Sequence, residues 1–438
     1  MAQYKLHYFD SAGAAEHIRM AFAVSGIEFE DCRIPFAEFP AKKAEFPLGQ
    51  VPVLELKKDG SMITQGYAIL RYVGSLNPSV GLYPADALDR LRVDEVMDIV
   101  KDIHVKVAAS MKMNDDMKMA VRKALAEEEI PFTFGKLDKM VGDKKFCTGD
   151  KMTIADLLLS NMMEVFSSGY IDGLPTTVCD PYTNLKRVQA NVFSDSRVSS
   201  WKDKRQGDRK FAMVSCDSAV VGLTCSLFMV LKLHYFDAAN RGEPIRLAFA
   251  ISGIKFDDVR VARGDWAAKK AANIYPMNQL PVLEFEDGTM ASQSTAILRY
   301  VGSLNPSVNL YPDDPRQRLR VDEMLGIVTD VRGKIGPTVH MTDEAQKAAA
   351  RKELGETTLP FYFGRIEKIM GEHKYSAGDN LTIADLDLVG VLEWLSSGIL
   401  TGIPADIVAG FPLLFNLQKL VGSHPAVALW REKREVKE

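Results

Sequence analysis

The chain is poor in cysteine and shows no pattern in the few it has. Cys32, Cys147, Cys179, Cys216 and Cys225 are the five in 438 residues. The number is odd, the spacings are wide and no CxxC occurs. A disulfide framework or a zinc site needs regular spacing. Reduced thiols and no metal are therefore expected. A long apolar run is also missing. The most apolar stretch, AVVGLTCSLFMVL, covers residues 219–231. A spanning helix needs about 20 such residues. The start, MAQYKLHYFD, lacks a basic flank ahead of an apolar segment, so no secretory signal is read. There is no basic excess either. Lys+Arg number 54 against 58 Asp+Glu, for a net charge of −4. This balance speaks against a nucleic-acid partner. The expectation is a cytoplasmic protein with neither a membrane nor a nucleic acid as partner.

What the chain does have is a repeat. Residues 5–10 and 232–237 both read KLHYFD, and residues 68–80 and 296–308 both read AILRYVGSLNPSV. LRVDE recurs at 91–95 and 319–323, TIADL at 153–157 and 382–386, and Trp201 is matched by Trp430. The offset stays between 227 and 229. A period of that length is a whole fold, duplicated, and not a solenoid unit. Met229 stands where the first methionine of a second reading frame would be, which suggests a fusion. Residues 206–228 match nothing in the other copy and read as a linker. As a flexible chain they would reach on the order of 25–30 Å.

Each copy changes character part-way. In copy two, residues 232–236 and 255–260 alternate as strands do, and 244–252 has helical spacing closed by Gly253. A strand at 281–284, a turn at Asp287-Gly288 and a helix at 294–301 follow. Beyond Pro312 only helical periodicity remains, at 317–332 and 344–370. Thr382 and Asp385 form a capping-box start for a further helix. The fold class is α+β: a small α/β domain followed by an all-helical one, twice over. The expected boundaries are 1–82, 83–205, the linker 206–228, 229–310 and 311–438.

These residues carry a likeness. Each copy resembles a glutathione transferase with a thioredoxin-like N-terminal domain, nearest in look to the sigma class. In copy two the likeness rests on KLHYFDAANRGEPIRLAF, Trp266 with Lys270, NQLPVLEFEDG, SQSTAILRY and LTIADL. It covers both copies and excludes only the linker. It implies glutathione as co-substrate and no metal.

The resemblance also implies roles. Tyr8 and Tyr235 would donate a hydroxyl hydrogen to the glutathione sulfur, favouring the thiolate over a thiol of pKa about 8.5. Arg241 would add positive charge. The steps Gln50-Val51-Pro52 and Gln279-Leu280-Pro281 would contain cis prolines that present backbone to the cysteinyl part, as an added strand. Gln65, and Gln293 with Ser294, would meet the γ-glutamyl carboxylate at a helix start. Trp266 and Lys270 would hold the glycyl carboxylate, with Phe39 and Lys43 in their places in copy one. Asp102 and Asp330 would reach the glutathione amine of the neighbouring copy.

Copy one departs from the pattern at Ala14, Phe39 and Gly66, where copy two has Arg241, Trp266 and Ser294. It is expected to be the weaker site. The implied function is conjugation of glutathione to apolar electrophilic small molecules in detoxification. Glutathione-dependent isomerisation of the prostaglandin D synthase kind, peroxide reduction, and a non-catalytic ligand-binding or structural role are the rivals. The two copies are expected to pair within one chain as a pseudo-dimer, with a two-chain homodimer as the alternative. Residues 101–113 and 329–341 name no substrate.

Overall fold

The structure, a computed structural model, describes residues 2–111, 113–205 and 231–435. The expected linker, Met229, Cys216 and Cys225 lie outside them. Both copies open with the same unit. In copy one, β1 (Tyr4–Phe9), α1 (Glu16–Ser25) and β2 (Phe29–Ile34) precede a short α2 (Phe39–Lys42), then β3 (Val53–Leu56), β4 (Ser61–Ile63) and α3 (Gly66–Ser75). The sheet order is β2-β1-β3-β4. β1 runs parallel to β2 and antiparallel to β3. In copy two, β5 (Leu231–Phe236), α10 (Glu243–Ser252), β6 (Phe256–Val261), α11 (Trp266–Ala271), β7 (Val282–Glu284), β8 (Met290–Ala291) and α12 (Ser294–Ser303) repeat this arrangement. The alternation that marks the strands has its packing cause: Leu231, Leu233 and Tyr235 face the core, and Lys232, His234 and Phe236 do not. α1 and α10 stop at Gly26 and Gly253, which take φ of 66° and 68° as left-handed caps.

The second half of each copy is helical: α4 (Ala87–Ser110), α5 (Asp115–Ala124), α6 (Ile130–Val141), α7 (Ile154–Ser167), α8 (Thr183–Ser194) and α9 (Ser196–Arg205) in copy one. Copy two has α13 (Pro315–Val339), α14 (Glu344–Glu353), α15 (Leu359–Met370), α16 (Ile383–Ser396), α17 (Pro412–Gly422) and α18 (Pro425–Glu435). α13 is longer than the expected 317–332. Its start is set by Asp314, whose side chain accepts from the Arg316 and Gln317 N–H groups, and by Pro315 in the first turn. The helix expected over 344–370 is continuous but widens to a π turn at Leu354–Thr358. Pro360 follows directly. It has no N–H to give, and its ring crowds the carbonyl four residues back, which the wider turn relieves. Pro131 accompanies the same turn at Leu125–Glu129. The capping box forms as expected, with Asp385 accepting from the Thr382 N–H at 2.8 Å. The matched tryptophans tie the last helix to the first. Trp201 donates to Glu16 at 3.0 Å and Trp430 to Glu243 at 3.1 Å.

The copies pack on each other, α3 against α13 and α12 against α4. The contacts come in matched pairs. Glu323 accepts from the backbone and hydroxyl of Thr64, and Glu95 does the same for Ser292. Leu48 of copy one joins the apolar core of copy two, while Met277 joins that of copy one. The symmetry breaks at the seam. Asp98 lies 3.7 Å from Arg71 and 3.8 Å from Arg299. Its counterpart is Gly326, and a Cβ there would come within 2.7 Å of the Gln65 side chain. Among the described residues no helix is long and apolar enough to cross a membrane.

Candidate functional site

Each site begins where the first strand ends. Tyr235 is buried on β5, and its hydroxyl oxygen accepts from the Arg241 backbone N–H at 3.2 Å. Tyr8 accepts from the Ala14 N–H at 2.9 Å. An acceptor bond of this kind leaves the hydroxyl hydrogen available to a further group. The loop that carries these amides is clamped by a buried arginine. Arg246 donates to Ala238 O at 2.7 Å and to Asp258 at 2.9 Å, and Arg19 holds Ser11 O and Asp31 in the same way. Gly242 lies against the Tyr235 ring, where a Cβ would approach to 2.4 Å. Burial pushes both phenols above their ordinary pKa. At Tyr8 the opposing groups are the Ala14 N–H and Arg19. At Tyr235 they are the Arg241 N–H and the charges of Arg241, Arg332 and Arg246. Two more guanidinium groups thus act on the copy-two hydroxyl.

The prolines stand as expected, since Val51-Pro52 and Leu280-Pro281 are both cis. Among the described residues, Val51 and Leu280 make no main-chain hydrogen bond, so each offers a free strand-like edge. Gln65 and Gln293 occupy the N-caps of α3 and α12 with φ of 70° and 74°. That region is costly for a residue with a side chain and is typically held by its surroundings at functional sites. Here the hold comes from the other copy. Gln65 donates to Asp330 at 2.8 Å, and Gln293 donates to Asp102 at 3.2 Å. Burial raises the pKa of both acids against those amide bonds. Ser294 and Gly66 follow as the first residues of their helices. Trp266 packs edge-on against Phe236 at 5.4 Å, with the exposed Lys270 ammonium 5.8 Å from its ring centre. Phe39 takes the same place beside Phe9 at 4.9 Å, and Lys43 lies over Gly49. In copy one, Gln50, Val51, Pro52 and Gln65 line one cavity together with Asp330 of the other copy, and Asp102 crosses to Gln293 in the opposite sense.

The structure adds residues to which the sequence reading assigned no role; one of them, His17, already stood out there as the counterpart of Pro244. A cavity of about 320 Å³ opens in copy one between the Val51-Pro52 step, Gln65 and α4. His17, Tyr67, Lys101 and His104 line it. The Asn161 amide donates to Gly13 O at 3.1 Å and sits 3.4 Å from His17 Nδ1, which leaves the proton of the neutral ring on Nε2. Burial pushes His17 down to about 3, aided by the charges of His104 and Arg19. Tyr67 and His104 Nδ1 are 2.9 Å apart. Copy two has Pro244, Thr295, Thr329 and Arg332 at these four positions. Arg332 donates to Asn240, beside the Tyr235 loop, at 3.2 Å and to Asp387 at 2.8 Å. The available signal was the set of positions where the two repeats disagree.

Comparison with known proteins gives a consistent result. The family model described as "Glutathione S-transferase, N-terminal domain" matches residues 4–75 and 231–303, and the one described as "Glutathione S-transferase, C-terminal domain" matches 101–205 and 329–434. The chain is 32% identical over 208 residues to a glutathione S-transferase of Anopheles gambiae, covering 47% of this chain and 98% of the relative. It is 31% identical over 205 residues to the hematopoietic prostaglandin D synthase of Gallus gallus, covering 47% and 98%. Among solved structures, the prostaglandin synthase D of Nilaparvata lugens is similar at 31% identity, covering 47% of this chain and 98% of its own, with a TM-score of 0.42.

Proposed function

The chain belongs to the glutathione S-transferase family and carries both of its domains twice; on that basis we propose that it conjugates glutathione to apolar electrophiles, chiefly at copy two. The hydroxyl of Tyr235 donates to the glutathione sulfur and stabilises the thiolate. The thiol proton is released to solvent, and the sulfur attacks the electrophilic carbon, forming the thioether as the leaving group departs with its bonding electron pair. The observation that carries this reading is the Tyr235 environment. Its oxygen already accepts from the Arg241 N–H, so its hydrogen is free to point outward, and Arg241 and Arg332 add charge that favours an anion beside it.

The rest of the tripeptide follows the geometry. The Leu280 edge, which precedes Pro281 and follows Gln279, takes the cysteinyl backbone. Ser294 and the N-terminus of α12 take the γ-glutamyl carboxylate. Trp266 and Lys270 take the glycyl carboxylate, and Asp102 from copy one takes the amine. Copy one arranges Val51, Gln65, Lys43 and Asp330 alike and works less well, because Ala14, Phe39 and Gly66 bring no equivalent side-chain donors. We place the domain boundaries at 82, 205, 228 and 310, and read the chain as a sigma-class-like, cytoplasmic detoxification enzyme. It works as a monomer in which the two copies supply the two halves of the usual pair. Linkage holds the copies at an effective concentration in the millimolar range, which favours this pairing over one between chains.

A glutathione-consumption assay with an aromatic halide tests the proposal. Turnover by the native chain that disappears in Tyr235→Phe supports it. Turnover that persists in Tyr235→Phe contradicts it. Isomerisation is the second reading, favoured by relatives named as prostaglandin D synthases. Glutathione-dependent product formation from a prostaglandin endoperoxide, without net glutathione loss, would identify it.

A further inference from the structure

Copy one lacks the serine hydroxyl at the start of α3, and its backbone leaves little room for one. A Cβ at Gly66 would stand 3.1 Å from Pro52 Cγ. Lining the same cavity as Gly66 is Lys101 on α4, a half-buried lysine that copy two replaces with Thr329. Its ammonium lies 5.4 Å from the Tyr67 ring centre. Among the described residues no carboxylate comes within ion-pair distance of it. The acids whose charge it feels are engaged elsewhere, Asp98 between Arg71 and Arg299, Asp330 on Gln65 and the adjacent Asp102 on Gln293. Burial holds the Lys101 pKa below the ordinary lysine value, as befits an ammonium short of a counter-charge. Thr329 instead returns its hydroxyl to Leu325 O at 2.8 Å and offers the other site no charge.

We propose that Lys101 binds the γ-glutamyl α-carboxylate of glutathione in copy one, replacing the hydroxyl that Ser294 supplies in copy two. The wall of this cavity then matches both charges of an α-amino-acid head group. The Lys101 ammonium meets the carboxylate, and Asp330 meets the amine. Lys101 thus offsets part of the loss at Gly66, while the losses at Phe39 and Ala14 remain. The inference rests on the reading that glutathione occupies both sites.

The test is calorimetry on the full chain carrying Trp266→Ala and Ser294→Ala, which weakens copy two and leaves copy one to be read. Glutathione is compared with its analogue that lacks the γ-glutamyl α-carboxylate. Lys101→Met should weaken glutathione about tenfold, the loss of one charge-assisted contact, and leave the analogue unchanged within about twofold. Lys101→Arg should retain most of the affinity, which separates lost charge from a disturbed seam. Equal weakening of both ligands, or no change for glutathione, overturns the inference. So does decanoate binding that depends on Lys101 while glutathione binding does not, since the carboxylate would then come from a separate organic acid. Failure of the native chain to bind glutathione at all would instead remove the functional reading beneath it.

Discussion

Copy one and copy two agree in sheet order, left-handed caps and π turns, and they differ around the sites. Both anchor the tyrosine loop, by different means. In copy two Arg332 reaches Asn240, and in copy one Asn161 reaches Gly13 O. Copy two surrounds its hydroxyl with guanidinium groups, and copy one surrounds its cavity with imidazoles and a lysine. The core, the caps and the buried Arg19 and Arg246 clamps determine folding, and these are kept in both copies. His17, Tyr67, Lys101 and His104 have diverged from Pro244, Thr295, Thr329 and Arg332. The duplication therefore keeps one scaffold with two differently lined sites.

The largest contrast should come from the tyrosines. Tyr235→Phe should lower conjugation turnover about 10²-fold, as for loss of a donor to developing charge, while Tyr8→Phe changes it by less than about twofold. Steady-state rates of the two variants decide this, and similar losses would erase the distinction between copies.

Acid stability should separate them next. His17 is neutral in the folded chain down to about 3. Below the ordinary imidazole value of about 6.5 the unfolded chain binds a proton that the folded chain does not. Stability from this group is complete above 6.5 and falls by up to about 1.4 kcal/mol per pH unit towards 3. His17→Gln should remove that slope. Urea midpoints of the two proteins from pH 7 to 4.5 measure the difference, and parallel curves would show that the imidazole is not held neutral.

Making copy two resemble copy one sharpens the comparison further. Trp266→Phe should weaken glutathione about tenfold, and Ser294→Gly by a similar factor in a site that has no Lys101, each read by calorimetry. Gly66→Ser should not improve copy one, because the new side chain meets Pro52. The smallest effect belongs to the crossing acids. Asp102→Asn should raise the KM for glutathione at copy two about threefold, a modest factor because this side chain is partly open to water. Asp330→Asn should leave that KM alone. Light scattering at low micromolar concentration should give a mass near 48.6 kDa. A stable species of twice that mass would show that the copies pair between chains.

Much of this could be read from the sequence. The repeat and its periodicity delivered the succession of strands and helices and the two-part architecture, because KLHYF alternates and the later segments do not, whereas the order of strands in the sheet came from the structure. The tyrosines, the prolines, Gln65, Gln293 and the acids were singled out through the resemblance, and the two prolines are cis as it implied. The π turns were not, since apolar periodicity runs through 344–370 without a break, and only Pro131 and Pro360 marked them. Lys101, His104 and Arg332 also escaped. On a long helix, polar residues three or four apart read as a solvated face, and only packing against the other copy turns that face into a cavity wall. Trp201 and Trp430 were visible as a repeat, but their partners Glu16 and Glu243 lie far away in sequence.

The ultraviolet absorbance of the bound thiolate tests the central claim most directly, because it reports the ionised sulfur before any substrate is present. Glutathione is added at pH 7 to the native chain, to Tyr235→Phe and to Tyr8→Phe. The account predicts that the thiolate signal is present in the native chain, is retained in Tyr8→Phe and is mostly lost in Tyr235→Phe. A signal that survives in Tyr235→Phe and vanishes in Tyr8→Phe would place the competent site in copy one and contradict it.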